Sequence, residues 1–178
     1  MAQETEDRLR EMAKSYDEDL EAVVVAGTMY RIDGNNVVID DIDEWKQKEW
    51  EKQKAKFLSE HPFTDPDDLE SYENEEEYVT DNIGEADDID EPDEQVSLDE
   101  YLNDQSLGDV RFEVSSDMEL HGGKILLACG GPTFWLHDDE ICGYWGSDEY
   151  SRSLSGDVKS ALWSWFEEQW GMARDSRG

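Results

Sequence analysis

The sequence predicts an α+β protein, an antiparallel β-sheet meander covered by helices, with an acidic helical and loop segment in mid-chain. Three observations carry this reading. Short alternating apolar segments recur between residues 107 and 154, separated by turns rich in Gly, Asp and Pro. Longer segments with helical spacing stand before and after them. Between Lys56 and Arg111 there is no lysine or arginine, while Phe57 to Val110 holds 21 of the chain's 48 acidic residues.

Residues 4–20 place Leu9, Met12, Ala13, Tyr16 and Leu20 near helical spacing. The apolar, β-branched run Val23 to Met29 reads as a buried strand. Asp33-Gly34-Asn35-Asn36 is a turn signal, and Val37, Val38 and Ile39 resume a strand, so the pair predicts a hairpin. Asp41 to Ser59 predicts a helix with Ile42, Trp45, Glu49, Gln53 and Phe57 on one face and Trp50 beside it. Asp40 or Asp41 can cap its start, five lysines fall toward its C-terminal end, where the dipole favours them, and Pro62 ends it.

In the acidic middle, Asp65-Pro66-Asp67-Asp68 can open a helix, with a thin stripe of Leu69, Tyr72, Glu76 and Val79. Asp87 to Glu94 reads as a solvated loop. Ser97-Leu98-Asp99-Glu100 is a capping-box pattern that opens a short helix through Leu102. Val110–Val114, Lys124–Cys129, Thr133–His137, Ile141–Trp145 and Tyr150–Leu154 are the strand candidates. Ser155-Gly156-Asp157 then opens a helix to about Trp170. Val158, Leu162, Trp165, Phe166 and Gln169 trace its inner face, with Trp163 and Trp170 off it. The organisation expected is residues 1–63 (helix, hairpin, helix), 64–106 (acidic segment) and 107–178 (sheet plus helix), the last packed with the first as one domain.

The formal net charge is -33 on 178 residues. Like charge at this density opposes compaction and repels nucleic acid and anionic membranes. Yet the chain has seven Trp, seven Tyr and five Phe, too many aromatics for a disordered chain, so a core is expected beneath the acidic shell. The longest apolar runs fall far short of the roughly 20 residues that span a bilayer. The first residues, MAQETEDRLR, lack the basic-then-apolar layout of a secretion signal. Two cysteines make no disulfide framework, and a cytoplasmic location with reduced thiols is the expectation.

The chemistry-bearing patterns point away from catalysis and metals. Cys129, His137 and Cys142 supply three soft ligands at irregular spacing, where zinc sites show close pairs. Asp87, Asp88, Asp90 and Asp93 lack the glycine of a calcium loop, and Pro92 intrudes. No nucleophile elbow, P-loop or H-E-x-x-H is present, and His61, His121 and His137 are scattered. No enzyme activity, metal or cofactor is expected.

The acidic tract is different. Duplex DNA carries one charge per roughly 1.7 Å of axis, and a helix rises about 1.5 Å per residue. A helical surface this rich in acids approaches that density. The residues expected to meet a cationic partner are Asp65, Asp67, Asp68, Glu70, Glu73, Glu75, Glu76 and Glu77, then Asp87, Asp88, Asp90, Glu91, Asp93 and Glu94. The bland alternative is a solubilising linker. Against it stand Tyr72, Tyr78 and Tyr101 within the tract and folded segments on both sides. At the C-terminus, Trp163 and Trp170 offer either extra core or an aromatic contact for a partner or a second copy.

Ala128-Cys129-Gly130-Gly131-Pro132, Gly143-Tyr144-Trp145-Gly146 and Leu154, followed by the helix SGDVKSALWSWFEE, cover about a quarter of the chain. This segment resembles small acidic domains encoded on plasmids, prophages and integrative elements of bacteria. The resemblance implies a mobile-element setting, in which acidic anti-CRISPR and antirestriction inhibitors occur, several of them mimics of DNA. It transfers no catalytic residue.

The expectation is a non-enzymatic inhibitor that occupies the basic groove of a nucleic-acid-binding protein or Cas effector complex, an anti-CRISPR protein first and an antirestriction mimic second, without binding nucleic acid itself. The alternative from another class is a regulatory or scaffolding module that binds through the C-terminal aromatic helix.

Overall fold

The computed structural model describes residues 2–92 and 94–176. The fold is α+β. The chain divides into two compact units, one of Met1–Val38 with Gln95–Gly178 and the other of Ile39–Glu94.

In the first unit, helix α1 spans Ala2–Glu21 and buries Leu9, Ala13 and Leu20. The valines that follow do not form the expected strand. Ala22–Ala26 is a π-helical turn, and Gly27 stops it in the left-handed region at φ 63°. Extending an existing helix adds one residue's order at a time, whereas a new strand would need a partner. The wider turn still delivers Val23 and Val24 to the core. The hairpin is present, but its first strand is later and its second begins earlier than expected, with β1 at Met29–Ile32 and β2 at Asn35–Val38, in register Met29↔Val38 to Ile32↔Asn35.

Strands β3 (Val110–Val114), β4 (Leu120–Ala128), β5 (Thr133–His137), β6 (Glu140–Trp145) and β7 (Asp148–Ser153) form a five-stranded antiparallel meander in sequence order. β4 begins earlier than the sequence suggested because Leu120, Gly122 and Gly123 pair with β3, with the register shifting past His121. The capping box of Ser97 and Glu100 holds the next helix, Leu98–Gln105, and Ser155 caps the last, Gly156–Asp175.

Alternation sets the two faces of the sheet. Ile125, Leu136 and Ile141 lie side by side in register and are fully buried. Tyr16 of α1 packs on Phe134 at 5.6 Å between ring centroids. Phe166 of the last helix lies over Gly123, so both helices cover the same face. Trp165 and Trp170 also enter this core. The Trp165 indole donates to Asp99 at 2.9 Å, and the Trp170 indole donates to the Met118 carbonyl at 3.3 Å. Asp17, 8% exposed, accepts from Arg152 Nε at 2.6 Å and ties α1 to β7.

The opposite face carries Arg111, Lys124, Trp135, Cys142 and Tyr144. Arg111 and Lys124 both approach the Trp135 ring, at 4.8 and 5.1 Å. Cys142 is buried among these side chains, and Cys129 is exposed; both are free thiols. Burial first, then the Glu140 carboxylate, pushes the Cys142 thiol up to about 11. The folded state therefore holds this proton more tightly than the unfolded chain. The associated stability is whole below the free-thiol value of about 8.5 and is lost as pH rises through about 11. A thiol reagent at mildly alkaline pH should accordingly modify one cysteine per native chain and both in denaturant, read by mass spectrometry. Two fast-reacting thiols in the native protein would contradict this placement.

The second unit contains α2 (Ile42–Glu60), α3 (Pro66–Ser71), α4 (Glu75–Ile83) and a 3₁₀ turn at Ala86–Asp88. Asp41, one of the two expected caps, accepts from the Glu44 amide at 3.0 Å. The inward face of α2 differs from the expected one. Trp50 is the buried residue, clustered with Phe57 and Leu58 and with Lys54 Nζ 5.1 Å from its ring centroid, while Gln53 is exposed. A cation over an indole face is an attractive contact, so Lys54, a charged residue, lies beside the stripe that apolar residues alone predicted. The last turn of α2 contains no base, so the lysines do not complement its dipole as expected.

Candidate acidic interface

The acidic run folds because two short helices cap themselves. Asp65 Oδ1 accepts from the Asp67 amide at 3.0 Å and starts α3. Tyr72 leaves helical geometry at φ -123° and ends it. Asn74 Oδ1 then accepts from the Glu77 amide at 2.9 Å, and Glu77 Oε2 accepts from the Glu73 amide at 2.7 Å. The single stripe of Leu69, Tyr72, Glu76 and Val79 is broken at this point. Tyr72 and Val79 join the core, while Leu69 and Glu76 are exposed. The solvated loop expected from Asp87 is also partly ordered, because Asp88 Oδ2 accepts from the Glu85 amide at 2.9 Å.

An aromatic cluster holds these pieces. Tyr78, 7% exposed, meets Phe57, Phe63 and Tyr72 at centroid distances of 5.4, 5.2 and 5.2 Å. The Trp50 indole donates to the Gly84 carbonyl at 2.8 Å and pins the end of α4 to α2. Burial, then the carboxylates of Asp68 and Asp65, push the Tyr78 hydroxyl above the ordinary phenol value. The Tyr72 hydroxyl donates to Asp81 at 3.1 Å, and that bond raises its own value most.

The aromatic core turns the acids outward. Asp65, Asp67, Glu70, Glu73, Glu75, Glu76, Glu77, Asp87, Asp88, Asp90, Glu91 and Glu94 are exposed, and Asp68 is half-buried. Asp93 lies outside the described residues. All fourteen belong to one unit. Residues 65–94 carry 16 carboxylates and no base. The unit's five lysines sit on α2, and several are paired within the unit: Lys46 with Glu91 at 3.2 Å, Lys48 with Glu44, and Lys52 with Glu49. Glu91 is thereby partly compensated, unlike its neighbours.

The structure brings some of these acids together and gives others structural work. Glu76 and Asp87 line one cavity of about 260 Å³ beside Trp50, together with Gln47, Thr80 and Glu85. Glu76 and Glu77 share an open acidic depression with Asp81 and Glu85. Asp81, four residues after Glu77 on the same helix, extends the acidic helical surface as its spacing implied. Glu85 was not among the expected residues and is placed only by the turn at Gly84. Asp65, Glu77 and Asp88 are capping residues as well as surface charges.

In the other unit, Trp163 is half-buried and Trp170 is 9% exposed, so only Trp163 keeps appreciable ring surface. Among the described residues, no group of three or more His, Cys, Asp and Glu side chains is placed to hold a metal ion, and no helix is long and apolar enough to cross a membrane. A second, polar cavity of about 520 Å³ is walled by the β1–β2 hairpin, the 98–105 helix and the end of α1. The Tyr101 hydroxyl donates there to Asp19 Oδ2 at 3.2 Å, and Arg31 pairs with Asp104. Arg31 Nε is buried without a hydrogen-bond partner, a state that costs about 1–3 kcal/mol.

No protein-family model, no curated protein and no solved structure matches the chain.

Proposed function

We propose that this chain is a non-enzymatic, acidic inhibitor that imitates a nucleic-acid backbone and occupies the cationic groove of a bacterial nucleic-acid-binding defence complex. An anti-CRISPR role, in the setting of a mobile element, is the first form of this reading, and an antirestriction role the second. The observation that carries it is the run of exposed carboxylates on α3, α4 and the segment after them, held on a small aromatic core with no base among residues 65–94. A solubilising tail would need no such core. A folded scaffold fixes the charges before binding, which reduces the ordering cost of association. Repulsion between these acids opposes folding, and a cationic groove would relieve it while both partners release counterions.

The alternative reading, a contact through the C-terminal aromatic helix at Trp163 and Trp170, has less to support it, because Trp170 is engaged in the core and only Trp163 keeps ring surface. The test is competition. A partner captured from a bacterial host should be released by duplex DNA. Its affinity should also fall by about a thousandfold between 50 and 200 mM salt if six or more charges are engaged. A partner that keeps its DNA while this chain is bound, with affinity indifferent to salt, would sink the reading.

A further inference from the structure

The polar cavity of the first unit has a composition that the acidic-surface reading does not use. Its walls are Asp19 from α1, Arg31, Asn35 and Asn36 from the hairpin, and Asp104 and Gln105 from the 98–105 helix. Its floor includes Met29 and Tyr101, both almost fully buried. The volume of about 520 Å³ lies within the range of small-molecule sites. Two carboxylates and one guanidinium line it, so its lining is negative by one charge. Three side-chain amides each offer both donors and acceptors. Asp19 is held by Tyr101 at one oxygen, and burial raises its value above that of an ordinary carboxyl, so an added cation would find it under-compensated.

A ligand that answers these needs one positive charge for the carboxylates, and several hydroxyls that both give and accept hydrogen bonds for the amides. The geometry points to an amino-sugar site: a hydroxyl-rich ring bearing a single ammonium, bound between the β1–β2 hairpin and the 98–105 helix with its ammonium at Asp19. A plain sugar would leave the negative charge unanswered. A plain ammonium ion would leave the amides unmatched.

The experiment is a titration of the isotope-labelled full chain with glucosamine at mildly acidic pH, where its amine is protonated, followed by amide NMR shifts. Fixed moderate salt screens the loose cation condensation expected on so acidic a protein. The expected result is saturable binding with shifts at Asn35, Asn36 and Gln105, and at least tenfold weaker binding of glucose and of methylammonium. Asp19→Asn keeps an acceptor for Tyr101 and should weaken glucosamine at least tenfold. Asn36→Leu, on the hairpin wall, should do the same without touching the charged groups. Absence of saturable glucosamine binding, equal binding of methylammonium, or wild-type affinity in folded Asp19→Asn and Asn36→Leu would each overturn the assignment.

Discussion

Changing Glu70, Glu73, Asp87 and Asp90 together to lysine should abolish capture of the cationic partner, raising the dissociation constant by about a thousandfold or more at low salt. Each residue is exposed, and no described contact uses any of the four carboxylates. None is the cap of a helix, in contrast to Asp65, Asn74 and Glu77. The variant should therefore keep its fold, and the reversal should even relieve repulsion within the unit. Single alanine changes at the same positions should each cost under tenfold, because a distributed charge surface has no decisive member. The measurement is a binding titration at two salt concentrations, with circular dichroism to check folding. The slope of affinity against salt should flatten in the variant. Unchanged affinity and unchanged slope would mean that the acids are solubilising only.

Replacing Gly123 with alanine should be the most damaging small substitution in the first unit. A Cβ there would lie 2.3 Å from Cδ1 of Phe166, a ring that is fully buried and confined by Phe112 and Trp165. Overpacking of this kind costs about 1–3 kcal/mol, and the poor retreat available to Phe166 places this case at the upper end. Phe166→Ala should cost about 3–5 kcal/mol through the cavity it leaves. The decisive variant is the pair Gly123→Ala with Phe166→Leu. The smaller side chain makes room for the added methyl, so the pair should be more stable than the sum of its singles requires. The coupling should be about 1 kcal/mol, the scale of contacting residues. Urea unfolding with a constant slope would read it. Strict additivity would mean that the ring and the glycine do not face each other.

The strands of the meander from Thr133 to Trp145 fall where alternation and their turns placed them, and Ser97 and Ser155 cap helices as their local patterns required. These are short-range signals, settled by hydrogen bonds within four residues or by a two-residue period. Errors arose where a local preference met a distant partner. Val23 to Ala26 has strand composition, yet it continues α1 as a π turn because its valines have a core to enter there. The acidic helix broke at Tyr72 because Tyr78 takes its ring and Asn74 restarts the helix.

The sequence by itself determined the charge of the protein, its α+β class and the location of its acids, because composition and short periodicities are properties of the chain alone. Only the tertiary structure decided which acids remain free surface charges and which serve as caps. It also decided that Trp170 enters the core, and that Asp19, Arg31 and Asp104 share one cavity. Those outcomes depend on side chains that meet across tens of residues, from Asp19 to Tyr101 and from Trp50 to Gly84. A local pattern contains no information about a partner brought near only by folding.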